Sequence, residues 1–120
     1  MLTHFLKCKI HRATVTDANL HYEGSISIDN TLMEAAGIVP FEKVHIYNIS
    51  NGERFETYAI RGEKGVICLN GAAAWKAKAT DKIIIASYCL LEESEVRDHQ
   101  PTIVLVKENN EIKSVSRDAI

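Results

Sequence analysis

The sequence predicts a small, mostly β domain closed into a compact barrel. Three observations carry this. Apolar runs are short, rich in β-branched residues and separated by turn signals. Asn51-Gly52, the strongest hairpin dipeptide, joins two alternating segments. Few helical signals interrupt the strands, and an open sheet of about six strands would leave edges that closure removes.

The elements follow in order. Leu6 to Val15 reads as a strand with Cys8 and Ile10 opposite Lys7, Lys9 and His11. Thr16 to Asn19 reads as a turn. Ser25 to Ile28 is a short strand, and Asp29 is an N-cap for a helix through Ala36, closed by Gly37. Val44 to Ile49 and Arg54 to Ile60 flank the hairpin turn. Val66 to Leu69 is a strand, and Asn70-Gly71-Ala72-Ala73-Ala74-Trp75 leaves it to start a helix. Lys82 to Tyr88 and Thr102 to Lys107 complete the strands. Glu92 to Asp98 reads as a solvated helix or loop.

A chain of 120 residues is one domain, and it can bury roughly 65% of its unfolded surface without staples. A net charge of −2 argues against a nucleic-acid or anionic-membrane partner. Cys8, Cys68 and Cys89 are an odd count with no CxxC spacing, which reads as reduced thiols of a cytoplasmic protein. The first residues carry no long apolar segment, and Ile83-Ile84-Ile85-Ala86 is too short to span a bilayer. No His, Cys, Asp or Glu spacing resembles a metal site.

One dipeptide stands out for its company. Gly24-Ser25 follows Lys9-Ile10-His11-Arg12-Ala13 and Thr16-Asp17-Ala18-Asn19-Leu20-His21-Tyr22-Glu23. Asn51-Gly52-Glu53-Arg54-Phe55-Glu56-Thr57-Tyr58 and Asn70-Gly71-Ala72-Ala73-Ala74 come after it. Singly, each block has an ordinary reading as a solvated strand, a hairpin or a turn. Together, in this order, they resemble the pyruvoyl-dependent aspartate 1-decarboxylases from about Lys7 to Val106.

The resemblance implies a six-stranded double-psi β-barrel with two or three short helices. It implies self-cleavage at Gly24-Ser25 into residues 1–24 and 25–120, with Ser25 becoming a covalent pyruvoyl group. Neither a metal nor pyridoxal phosphate is expected. Physically, Ser25 Oγ attacks the Gly24 carbonyl, an ester replaces the amide, and elimination then hydrolysis leave a ketone and ammonia. Glycine at position 24 is expected to admit a strained backbone that favours the rearrangement. The ketone forms a Schiff base with L-aspartate, and loss of the α-carboxylate gives β-alanine for pantothenate and coenzyme A synthesis.

The resemblance also assigns roles. Thr57 stabilises the self-cleavage and touches substrate, and Tyr58 is the proton donor, a task a phenol can perform at neutral pH. Lys9 and Arg54 hold substrate carboxylates, with Arg54 able to bind bidentately. Gly71, Ala72 and Ala73 offer backbone N–H groups to an anion. His11, Tyr22 and Asn70 have supporting roles. A homotetramer with active sites between subunits is implied, and a helper protein for cleavage stays open. Thr57 and Tyr58 are strand neighbours, so their side chains should face opposite ways unless the strand twists or a second subunit supplies a wall. Trp75 and Tyr47 depart from residues usual in the family, and Trp75 stands where a subunit contact could change. Two other readings remain: a pyruvoyl decarboxylase for another amino acid, such as histidine or arginine, and a non-catalytic small β-barrel binding module.

Overall fold

The computed structural model describes residues 1–117. It is mostly β. The strands are β1 (Leu2–Thr14), β2 (Asp17–Asn19), β3 (Ser25–Asp29), β4 (Lys43–Asn48), β5 (Arg54–Gly62), β6 (Ile67–Asn70), β7 (Lys82–Glu92), β8 (Thr102–Val106) and β9 (Ile112–Ser116). Two short helices, α1 (Asn30–Ala36) and α2 (Glu93–Val96), and a 3₁₀ turn (Gly71–Trp75) lie between them.

The strands form one nine-stranded ladder in the order β2-β6-β3-β5-β4-β7-β1-β8-β9. The sheet is mixed: β1–β8, β2–β6 and β3–β5 are parallel and the other pairs antiparallel. Its end strands β2 and β9 are not ladder partners, so strand pairing among the described residues does not close the expected barrel, although single backbone bonds extend the ladder beyond the strand ends. Val15 N–H donates to Asp81 O at 2.9 Å and Thr16 N–H to Ile67 O at 2.7 Å.

Alternation builds the core. Cys8 and Ile10 of β1, Ile26 and Ile28 of β3, Val44 and Ile46 of β4, Ile67 and Leu69 of β6 and Ile83 and Ile85 of β7 are fully buried. Leu32, Met33 and Ala36 are the buried stripe of α1. That helix starts and stops where its caps dictate. The Asp29 carboxylate accepts from Thr31 N–H at 2.8 Å, and Gly37 takes the left-handed conformation at φ +79°. The β4–β5 turn likewise places Gly52 at φ +79°, with the Asn48 side chain accepting from Ser50 N–H.

Three expectations about elements change. The ladder has nine strands rather than six. Asp17–Asn19, read as a turn, is a strand because three residues pair with β6. The element after Asn70 is a single 3₁₀ turn of five residues, too short to carry an appreciable macrodipole. Strand β1 also carries two irregularities, between Leu6 and Cys8 and between His11 and Ala13. The second leaves Arg12 at φ +67°, the left-handed setting of a bulge.

Candidate active site

Ser25 opens β3 and is buried at 1% exposure. Its position follows from register: it lies opposite Asn70, the last residue of β6. Asn70 Nδ2 donates to Ser25 Oγ at 3.0 Å, and the serine hydroxyl donates weakly to Glu23 O at 3.4 Å. The next pair on the same face is Ser27 and Cys68. Asn70 Nδ2 also donates to Ser27 Oγ at 3.0 Å, while the Cys68 thiol donates to Asn70 Oδ1 at 3.3 Å. Asn70 is therefore the hub of a four-residue polar cluster that includes the candidate nucleophile.

Beyond the start of β3 is an open cavity of about 320 Å³, lined by Gly24, Phe55, Glu56, Thr57, Tyr58, Ala72, Ala73 and Lys76. Thr57 and Tyr58 both border it although they point to opposite faces of β5. The reason is topological. Residues 59–62 of β5 pair with β3, while residues 54–58 pair with β4 alone. The cavity sits at that free edge, where neighbours in a strand are both within reach. Tyr58 also packs its ring 6.2 Å from that of Phe41.

Glycine matters here at a different position than expected. Gly24 has an ordinary φ and an added Cβ would meet nothing within 4 Å. The constrained residue is Gly71, at φ +64°, where a Cβ would fall 2.7 Å from Gly24 N and 2.9 Å from Tyr22 O. The close approach of the 3₁₀ turn to the segment before Ser25 thus depends on the bare α-carbon of Gly71. Tyr22 contributes its backbone to this contact, and its side chain is exposed.

Lys9, His11 and Arg54 do not line the cavity. They lie on one sheet face: His11, Ile84, Tyr47 and Arg54 form a cross-strand row, and Lys9 is two residues along β1 on the same side. Arg54 stacks its guanidinium 4.1 Å from the centre of the Tyr47 ring. The Tyr47 hydroxyl is 2.6 Å from that of Tyr88. Burial, then the Tyr47 hydrogen bond, push the Tyr88 phenol up to about 12. Burial and the charges of Lys9 and Arg12 push the His11 imidazole below its ordinary value. His11 Nδ1 is buried with no hydrogen-bond partner. Among the described residues, no cluster of His, Cys, Asp or Glu is placed to hold a metal ion.

Ser27 and Cys68 were not singled out from sequence, and neither were Phe55, Glu56 and Lys76. The signal for the first two was the i, i+2 spacing Ser25/Ser27 and Cys68/Asn70, which needed the β3–β6 register to become a cluster.

A family model described as aspartate decarboxylase matches residues 1–113. The chain belongs to the aspartate decarboxylase family. An aspartate 1-decarboxylase of Caldicellulosiruptor saccharolyticus is 60% identical over 118 residues, covering 97% of this chain and 92% of that protein. One from Syntrophus aciditrophicus is 61% identical over 110 residues, covering 90% and 95%. One from Clostridium kluyveri is 52% identical over 118 residues, covering 97% and 93%. Among the described residues, no helix is long and apolar enough to cross a membrane.

Proposed function

We propose that this chain is an aspartate 1-decarboxylase that cuts itself at Gly24-Ser25 and uses the pyruvoyl group formed from Ser25. One observation carries the reading: a buried serine hydroxyl, held by an asparagine amide, adjoins a cavity bordered by Gly24, Thr57 and Tyr58.

In the self-cleavage Ser25 Oγ adds to the Gly24 carbonyl carbon, its proton passes to the Ser25 backbone nitrogen, and the C–N bond breaks as the ester forms. Asn70 N–H supports the oxygen as its proton leaves, because a donor favours the charged form. Thr57, across the cavity, is the hydroxyl for the carbonyl oxygen as it gains charge. Elimination frees the Gly24 carboxylate, and water replaces nitrogen at residue 25, releasing ammonia. The small side chains of Ala72 and Ala73 leave room for an amino acid beside residue 25. The pyruvoyl group supplies the electron sink for loss of the α-carboxylate as carbon dioxide. Tyr58 then delivers a proton to the carbon that lost the carboxylate, and water releases the product as β-alanine, a precursor for pantothenate.

Aspartate needs cations, and among the described residues the only cationic side chain lining the cavity beside Ser25 is Lys76. Lys9 and Arg54, with His11, lie on the sheet face described above. A second copy bringing that face to the cavity completes the site, and the family resemblance extends this to a cytoplasmic homotetramer with shared active sites. A maturation protein that speeds cleavage is compatible with this arrangement.

Mass spectrometry of the purified chain tests the proposal. The expected result is a fragment ending at Gly24 and a second starting at residue 25, lighter by one ammonia than a serine-started peptide. Incubation with L-aspartate should yield carbon dioxide and β-alanine. Ser25→Ala should stay intact and inactive while keeping the fold. Turnover of histidine or arginine in place of aspartate would move the reading to another pyruvoyl decarboxylase. An intact wild type without any decarboxylation would leave a binding barrel.

A further inference from the structure

We infer that Ser27 and Cys68 are positioning residues for the self-cleavage, acting by fixing which end of the Asn70 carboxamide faces Ser25. The inference rests on the proposed role of Ser25 and adds the device that aims its hydrogen-bond donor.

A carboxamide has two donors at one end and one acceptor oxygen at the other, in nearly equal shapes. Asn70 is buried at 3% exposure, so each polar atom needs a partner within the protein. In the observed orientation the account closes. One N–H goes to Ser25 Oγ and the other to Ser27 Oγ, both at 3.0 Å. Asn70 Oδ1 accepts from the Cys68 thiol at 3.3 Å.

Turning the amide over breaks this. Oδ1 would then face both serine hydroxyls, and the two N–H groups would face one sulfur, a weak acceptor that can take only one of them well. A buried N–H left without a partner is the costly outcome. Ser27 thus supplies the second acceptor that makes one orientation preferred, and Cys68 supplies the donor at the other end. Burial and the nearby Asp17 charge raise the Cys68 thiol above its ordinary value, so it keeps the proton it donates.

Orientation matters for the chemistry. With Nδ2 toward Ser25, Oγ receives an N–H and is stabilised as it sheds its proton to attack Gly24. With Oδ1 toward Ser25, the hydroxyl would instead be held as a donor, and that stabilisation would vanish. Register places the device: Ser25 opposes Asn70 and Ser27 opposes Cys68, so the four side chains share one face of two strands.

The test is the rate of cleavage of the full-length chain, followed by mass spectrometry after purification of freshly made precursor. Ser27→Ala and Cys68→Ala should each slow cleavage about three- to tenfold, the effect of one hydrogen bond. Cys68→Ser, which restores a donor, should cleave within about twofold of wild type. Cys68→Val, similar in bulk and lacking a donor, should be slow, which separates the lost hydrogen bond from a lost volume. Melting curves of the uncleaved chains should show all four variants folded. Equal rates in wild type, Ser27→Ala and Cys68→Ala would overturn the inference while leaving the cleavage reading intact. A slow Cys68→Ser beside an equally slow Cys68→Ala would also overturn it, since a merely structural role predicts no rescue. A wild type that never cleaves would overturn the proposed function itself, and is told apart by the first lane of the experiment.

Discussion

Gly71 lays its bare α-carbon against Gly24: a methyl group at position 71 would stand 2.7 Å from the Gly24 nitrogen and 2.8 Å from its α-carbon. The obstruction is backbone, so no side-chain rotation relieves it. Gly71→Ala also places a Cβ on a residue at φ +64°, at a cost on the order of 1 kcal/mol. The 3₁₀ turn and the Glu23–Ser25 segment must separate, which moves the scissile carbonyl relative to Ser25 Oγ. Gly71→Ala should therefore fold but cleave at least about tenfold more slowly, since small misplacements of reacting groups are expensive. Gly24→Ala meets no neighbour and should cost far less. Comparing the two cleavage rates checks the pair, and a Gly24→Ala variant slower than Gly71→Ala would contradict it.

A second prediction concerns stability, away from the site. Lys7, displaced by the irregularity in β1, donates to both Glu42 oxygens at 2.9 and 2.8 Å and to Gly37 O at 2.8 Å. The Ser87 hydroxyl and the Val39 N–H also donate to Glu42. Burial alone would push the Glu42 carboxyl up, but these donors outweigh it and hold it below its ordinary value. A carboxylate with a depressed folded pKa stabilises above its unfolded pKa, about 4.3, and the contribution fades as pH falls through the folded value. Lys7→Met should cost about 1–3 kcal/mol at pH 7, discounted for partial exposure of the pair. Melting temperatures measured from pH 7 to pH 3 should show wild type and variant converging on the acid side. Parallel curves would refute the assignment.

How much of this was legible in the sequence depends on how local each cause is. Asp29 and Gly37 bounded α1 correctly because capping acts within a few residues. Asn51-Gly52 marked the β4–β5 turn for the same reason. Strand β9 escaped notice because Lys113, Ser114 and Ser116 are exposed and leave little apolar alternation. Strand β2 escaped because its turn-like residues become a strand only by pairing with β6, about fifty positions away. The site followed the same rule. Residue identities named Ser25, Thr57, Tyr58 and Asn70, but their grouping required the β3–β6 register and the free edge of β5. The alternation argument that set Thr57 against Tyr58 was sound for faces and silent about edges.

A third prediction separates binding from cleavage. Arg54 stacks on Tyr47 and lies four strand residues from Tyr58, on the same side of β5. If it grips a substrate carboxylate, Arg54→Ala should raise KM for aspartate about 10- to 100-fold, matching one or two charge-assisted bonds. Arg54→Lys should recover part of that loss, because charge survives and the bidentate fork does not. Steady-state kinetics on fully cleaved protein provide the check. A KM unchanged in Arg54→Ala would remove this residue from the substrate clamp.

The fourth prediction tests whether two copies build one site. Tyr58 lines the cavity together with Gly24, the neighbour of Ser25, whereas Lys9, His11 and Arg54 share a sheet face that lines none of it. In a shared site, Ser25→Ala and Arg54→Ala chains complement each other. A hybrid assembly contains sites with Ser25 from the Arg54→Ala chain and Arg54 from the Ser25→Ala chain. Each variant alone has no such site. Random mixing in a closed symmetric assembly makes up to about one quarter of all sites fully wild type. Co-expression of the two chains should therefore return up to that share of activity at low aspartate, where Arg54 matters most. The double variant Ser25→Ala/Arg54→Ala mixed with wild type serves as the control for ordinary dilution. Recovery no greater than the activity of Arg54→Ala alone, in assemblies shown by mass to be mixed, would mean that each chain carries its own complete site.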